Sequence, residues 1–121
     1  MWEIEYIDEF EGYWHSLSGD EQVRVSASIE LLETIGPTLG RPHVDSVNQY
    51  SRHPNMKELR VQCDGAPIRI LFAFDPRRTG ILLVGGNKAG NTRWYRENIP
   101  LADELYDNYL EELRKENLIN G

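Results

Sequence analysis

The side chains in this chain best suited to chemistry are cations, Arg60, Arg69 and Lys88, and each lies in or beside a run of apolar residues. Asp64-Gly65 between the first two runs has the composition of a two-residue hairpin turn. That turn pairs Cys63 with Ala66, sets Val61 opposite Ile68, and brings Arg60 face to face with Arg69. A four-residue turn at Pro76-Arg77-Arg78-Thr79, with Asp75 paired to Gly80, then predicts Phe72 opposite Leu83, Arg69 opposite Gly86 and Pro67 opposite Lys88. The three cations meet at one end of one sheet face. Like charges directly opposite on a sheet destabilise it by up to roughly 1 kcal/mol, so the cluster calls for an anion. A phosphate would serve, and Gly85 and Gly86 beside the cations would let a ligand backbone come close. Glu58, two positions before Arg60 and on the same face, is the other candidate, as a structural bridge to one or both arginines. A one-residue slip in register would move Arg60 or Arg69 to the opposite face.

The charge distribution bears on which anion is meant. The formal net charge is −7, which at first sight argues against a nucleic-acid partner. Residues 1–35 hold one Lys or Arg against nine Asp or Glu, while residues 56–96 hold eight against three, and residues 97–121 return to two against seven. One basic segment is framed by acidic ones, a pattern that ordinary solvated charge can also produce.

The elements that position these cations follow from periodicity. Trp2 to Tyr6 alternates apolar and charged residues as a short strand does. Asp8-Glu9-Phe10-Glu11 reads as a helix cap, and Phe10, Tyr13, Trp14 and Leu17 fall on one helical face, with Tyr13 and Trp14 expected in the core. Ser18-Gly19-Asp20-Glu21 has capping-box spacing, and Val25, Ile29 and Leu32 continue a second stripe until Gly36-Pro37 stops it. The result is a helical hairpin. Residues 37–55 read as a long surface connection. Three strands are predicted next, at Met56 to Gln62, Pro67 to Asp75 and Gly80 to Gly86, as an antiparallel meander. One face of it would carry Leu59, Val61, Ile68, Ile70, Phe72, Phe74, Ile81 and Leu83 beneath the helical hairpin. The other would carry the cations at one end and Leu71, Ala73, Leu82 and Val84 at the other, an apolar end for the last helix to cover. That helix is expected to begin near Pro100, with Leu101, Leu105, Tyr109 and Leu113 along it, Asp103 and Glu104 at its start and Arg114 and Lys115 at its end.

The expected class is α+β, with residues 1–121 forming one domain, since a chain of 121 residues with 40% hydrophobic content builds one modest core. No run approaches the roughly 18 apolar residues of a membrane span, and the first residues lack a basic region followed by an apolar one, so a cytoplasmic protein is expected. Cys63 is the single cysteine, and His15, His43 and His53 have no metal-ligand spacing with it, so neither a disulfide nor a metal or other cofactor is expected.

With Lys57-Glu58-Leu59-Arg60, Ile68-Arg69-Ile70-Leu71-Phe72 and Leu82-Leu83-Val84-Gly85-Gly86-Asn87-Lys88, nearly the whole chain resembles the HigB-like branch of the RelE/ParE toxin superfamily. The resemblance implies the same order of elements. It also implies the toxin of a type II toxin-antitoxin pair, a metal-independent endoribonuclease that cuts mRNA on the ribosome, inhibits translation, and is neutralised by a cognate antitoxin, often of helix-turn-helix type. Arg60 and Arg69 match the family's motif arginines. Lys57 and Lys88 match its lysines, which would hold the RNA backbone or take part in proton transfer, and Tyr95 would stack a base or donate a proton. Arg93, Arg52 and His53 are further RNA-binding candidates, His53 also as a reserve acid or base. Trp94 and Tyr95 also read as packing residues ahead of base platforms. Two other readings share the fold: a ParE-like inhibitor of DNA gyrase, which would not need the Arg60, Arg69 and Lys88 cluster, and a non-enzymatic binding module whose trough holds an acidic partner.

Overall fold

The computed structural model describes residues 1–120, without the side chain of Asn48; Gly121, the last residue of the expected domain, lies outside them. Strand β1 (Ile4–Tyr6) leads to helices α1 (Asp8–Ser16) and α2 (Gly19–Ile35), then to β2 (Val44–Ser46), β3 (Lys57–Cys63), β4 (Ala66–Phe74), β5 (Gly80–Asn87) and helix α3 (Trp94–Lys115). The strands form one sheet in the order β1-β5-β4-β3-β2, with β1 parallel to β5 and every other pair antiparallel. This is the expected α+β architecture with one strand more. Val44, Asp45 and Ser46, expected within a surface connection, add β2 to the edge of β3 by pairing with Leu59, Glu58 and Lys57.

The sheet is apolar on both faces because helices cover both. Beneath α1 and α2, Phe10, Val25 and Leu32 pack on Leu59, Val61, Ile68, Ile70, Phe72 and Leu82. Beneath α3, Ile99, Ala102, Tyr106 and Leu110 pack on Leu71, Ala73, Ile81, Leu83 and Val84. Ile81 and Leu83 were expected under the helical hairpin and Leu82 under α3, and these are reversed. Asp75 is the cause. Its buried carboxylate accepts the backbone N–H groups of Arg77 at 2.8 Å and Thr79 at 3.1 Å, which makes it part of the turn. Gly80 therefore pairs with Phe74, and Phe72 with Leu82. The expected register returns after a bulge at Leu83, so Leu71 pairs with Val84 and Arg69 with Gly86.

Helix boundaries differ in two places from those expected. α1 starts at an Ile7 cap with no side-chain hydrogen bond, and Asp8, Glu9 and Glu11 instead lie in its first turn, where the helix dipole favours acidic residues. Tyr13 and Trp14 on this helix are only half-buried. α3 starts two turns before Pro100, because the Asn91 side chain accepts the Arg93 N–H at 3.0 Å and bonds Glu97 at 3.0 Å. Pro100 lies inside the helix at the loss of one backbone donor. The Ser18–Glu21 capping box of α2 forms as expected.

Gly36 ends α2 at φ 77, and a side chain there would meet the Trp2 indole at 2.4 Å. The Trp2 ring seals this corner edge-on to Phe74. Gly36→Ala is expected to lower unfolding free energy by about 1–3 kcal/mol from backbone strain alone. Chemical denaturation reads this directly, and a change within about 0.5 kcal/mol would contradict it.

Candidate functional site

The hairpin register places Arg60 directly opposite Arg69, as the turn chemistry predicts, with Asp64 at φ 46 and Gly65 at φ 84. Glu58 follows on the same face and is 3% exposed. Its carboxylate is the compensating anion. Arg69 Nε lies 3.0 Å from Oε1 and Arg60 Nη2 lies 3.7 Å from Oε2, while the Tyr95 hydroxyl donates to Oε1 at 2.7 Å. The Arg69 contact is ionic and not hydrogen-bonded, for the Nε atoms of both arginines are buried without a hydrogen-bond partner. Glu58 thus bridges both arginines, and the cationic trough is partly neutralised from within.

Around this centre the cations are unequally held. Arg60 Nη2 also donates to Asp45 Oδ2 at 3.1 Å, and Arg41 reaches the same carboxylate. The Arg41 hydrogen bond, followed by that from the Ser46 N–H, holds the Asp45 carboxyl below the usual carboxylate range. Lys88 is placed by its backbone bond to Pro67 and carries its Nζ 5.5 Å from the centre of the Tyr95 ring. Burial, then the hydrogen bond to Glu58, pushes the Tyr95 phenol above its ordinary range against an opposing pull from Arg69. At neutral pH Tyr95 therefore holds its proton and does not act as a base.

Tyr95 is in the first turn of α3, and its position depends on Gly86. A side chain at Gly86 would meet the Trp94 indole at 2.5 Å, and one at Gly85 would meet the Tyr13 ring at 2.2 Å. The room that these glycines leave was expected to admit a ligand; aromatic rings of the protein occupy it instead, Trp94 buried as a packing residue. Tyr95 stands edge-on to Trp94 and stacked on Tyr50, with ring centres 6.4 Å apart and planes 12° from parallel.

The remaining candidates lie apart from this cluster. Lys57 falls on the opposite side of β3 by strand alternation, and its ammonium donates to the Pro37 carbonyl at 3.0 Å. Arg93 is exposed at the cap of α3. Arg52 and His53 are tied to Asp107, about three turns along α3 from Tyr95, with His53 Nε2 2.7 Å from its carboxylate and the imidazole edge-on to Tyr106. Burial raises the Asp107 carboxyl, but the hydrogen bonds from His53 and Arg52 outweigh it and hold the group low. The same segment is fixed by buried Asp103, which accepts from the Ser51 hydroxyl and from the Arg52 N–H at 2.9 Å. Asp45 and Tyr50 were missed because nothing in the connection's composition marks β2. Glu58 was legible from its spacing to Arg60, as a bridge.

Residues 12–107 match the family model described as "Phage derived protein Gp49-like (DUF891)". Two Mycobacterium tuberculosis proteins, each bearing the name "Putative toxin", are similar to the chain. HigB3 is 53% identical over 86% of this chain and 90% of its own length; HigB2 is 47% identical over 86% of this chain and 52% of its own length, so the chain spans about half of that relative. Two solved structures share the fold. The archaeal RelE-RelB complex from Pyrococcus horikoshii OT3 aligns with TM-score 0.54 at 12% identity, over 75% of this chain and 98% of the other. A double-arginine mutant of E. coli toxin RelE in the free state aligns with TM-score 0.52 at 8% identity, over 79% of this chain and 92% of the other. The resemblance read from the strand motifs is borne out: the chain belongs to the phage-derived Gp49-like family, has relatives named HigB at 47–53% identity, and has the RelE fold.

Proposed function

We propose that this protein is the toxin of a toxin-antitoxin pair and acts as a metal-independent endoribonuclease on mRNA at the ribosome, inhibiting translation until a cognate antitoxin binds it. The observation that carries this reading is the convergence of Arg60, Arg69 and a proton-holding Tyr95 about one buried carboxylate, with Lys88 against the Tyr95 ring. Relatives named as toxins, and a structural neighbour solved as a RelE-RelB complex, support the toxin and its antitoxin partner.

The chemistry asks for few groups. The ribose 2′-oxygen forms a bond to the adjacent phosphorus as the bond to the 5′-oxygen breaks, leaving a 2′,3′-cyclic phosphate and a 5′-hydroxyl. Charge builds on the non-bridging oxygens, and donors fixed in advance stabilise it without reorganising. Arg60 and Arg69 are fixed in advance by Glu58, and each keeps guanidinium N–H groups that Glu58 does not engage. Tyr95 supplies the proton to the 5′-oxygen and regains one from solvent, to which the 2′-proton is lost. Lys88 adds positive charge beside the phenol, which eases formation of the transient phenolate.

Two substitutions separate the roles. Arg69→Ala removes a transition-state donor and is expected to cut cleavage by roughly 100- to 1,000-fold, seen as lost growth arrest and intact mRNA after induction of a folded variant. Growth arrest that persists in this variant with mRNA intact would sink the nuclease reading. Tyr95→Phe keeps the ring stacked on Tyr50 and removes only the hydroxyl. Its cleavage rate is expected to fall by roughly 100-fold or more in a protein that still folds but has lost about 1–3 kcal/mol with the hydrogen bond to Glu58, and an unaltered rate would take Tyr95 out of the proton transfer.

A further inference from the structure

Arg60 and Arg69 also line a second surface feature, an open cleft of about 480 Å³ where α2 meets the exposed edge of β3. Arg24 and Ser28 of α2 form one wall, His43 another, and Gln62 lies along the edge. No aspartate or glutamate is among its lining residues, on a chain whose net charge is −7. β2 covers β3 only from Lys57 to Leu59, so the strand edge beyond Arg60 stands clear after the Arg60 N–H has bonded the His43 carbonyl at 2.8 Å. Arg24 is loosely held. Its side chain is 52% exposed, 3.6 Å from an Asp64 that is itself exposed, and 3.5 Å from the Gln62 carbonyl.

We propose that this cleft is a second phosphate subsite, in which Arg24, with His43 and Ser28, holds a phosphate of the RNA backbone next to the one at Arg60 and Arg69. The proposal rests on the nuclease reading, because it is the reacting phosphate at the arginine pair that brings the adjoining backbone here. The two arginines line the cleft and also contact Glu58, so an RNA strand can cross the β3 edge from one to the other. Three guanidinium groups, an imidazole and a hydroxyl can supply donors to a phosphate, and Ala27, Pro42 and Val61 complete the lining.

The test is binding of a short all-2′-O-methyl oligoribonucleotide, which has no 2′-hydroxyl to attack and reports binding without cleavage, to the whole 121-residue chain over a range of salt. Arg24 is exposed on α2 and its replacement leaves the core intact. Arg24→Ala is expected to weaken binding by roughly threefold to tenfold and to make the slope of log K against log salt shallower by about 0.7, the loss of one phosphate contact to a single strand. Arg24→Lys is expected to keep the wild-type slope. Arg24→Ala with wild-type affinity and slope would overturn the subsite, as would a wild-type protein that does not bind the oligonucleotide. Displacement of the oligonucleotide by an equally charged polyglutamate peptide at equal concentration would overturn its assignment to RNA. These failures are distinct from failure of the nuclease reading, which appears as intact mRNA in cells making the wild-type protein.

Discussion

A carboxylate buried between two arginines governs the arrangement of the site. Without Glu58, Arg60 would keep Asp45, but Arg69 would face a like charge across β3 and β4 with no carboxylate of its own, and a buried unpaired charge costs several kcal/mol. With it, each guanidinium has a fixed partner, and the Tyr95 hydroxyl finds an acceptor on the same oxygen that Arg69 approaches. Because Tyr95 belongs to the first turn of α3, the carboxylate also ties that helix to the sheet at the level of the cations. The bulge at Leu83 matters here as well, since it restores the register that sets Arg69 opposite Gly86, over which Trp94 packs.

The acidic composition looks different once the side chains are placed. Glu58, Asp75 and Asp103 are buried and serve as internal acceptors. Asp75 shapes the turn before β5 and holds Arg77, whose Nη2 meets the Tyr109 hydroxyl at 2.8 Å. Asp103 and Asp107 secure residues 51–53 to α3, and that segment carries Tyr50 to its stack on Tyr95. Part of the negative charge therefore builds the scaffold around the cations, and the lining of the cleft beside Arg24 is free of carboxylates. A net charge of −7 is compatible with a local phosphate site for this reason.

Local chemistry made much of this legible from residues alone. Asp64-Gly65 specified a hairpin, the hairpin specified Arg60 opposite Arg69, and the Ser18 and Glu21 spacing specified the start of α2. What escaped depended on side chains acting at a distance from their own element. Asp75 read as the last residue of a strand because its role as a turn acceptor requires the fold around it, and the misplaced Ile81, Leu82 and Leu83 followed from that one residue. Gly85 and Gly86 were rightly read as places of close approach, yet only the packed helices reveal that Tyr13 and Trp94 make the approach. β2 was invisible because a three-residue strand in a segment rich in proline has no period to detect. The early start of α3 escaped for a related reason: Pro100 is a strong signal for a first turn, and the asparagine that starts the helix is a weak one.

Sequencing the RNA ends made in cells after induction of the wild-type protein, with a ligation step that selects 2′,3′-cyclic phosphate and 5′-hydroxyl termini, tests the central claim most directly. Attack by the 2′-oxygen at a phosphate held by Arg60 and Arg69 predicts matched pairs of these termini within coding sequences. Intact mRNA accompanied by DNA damage, or cleavage that leaves 3′-hydroxyl and 5′-phosphate ends, would contradict it.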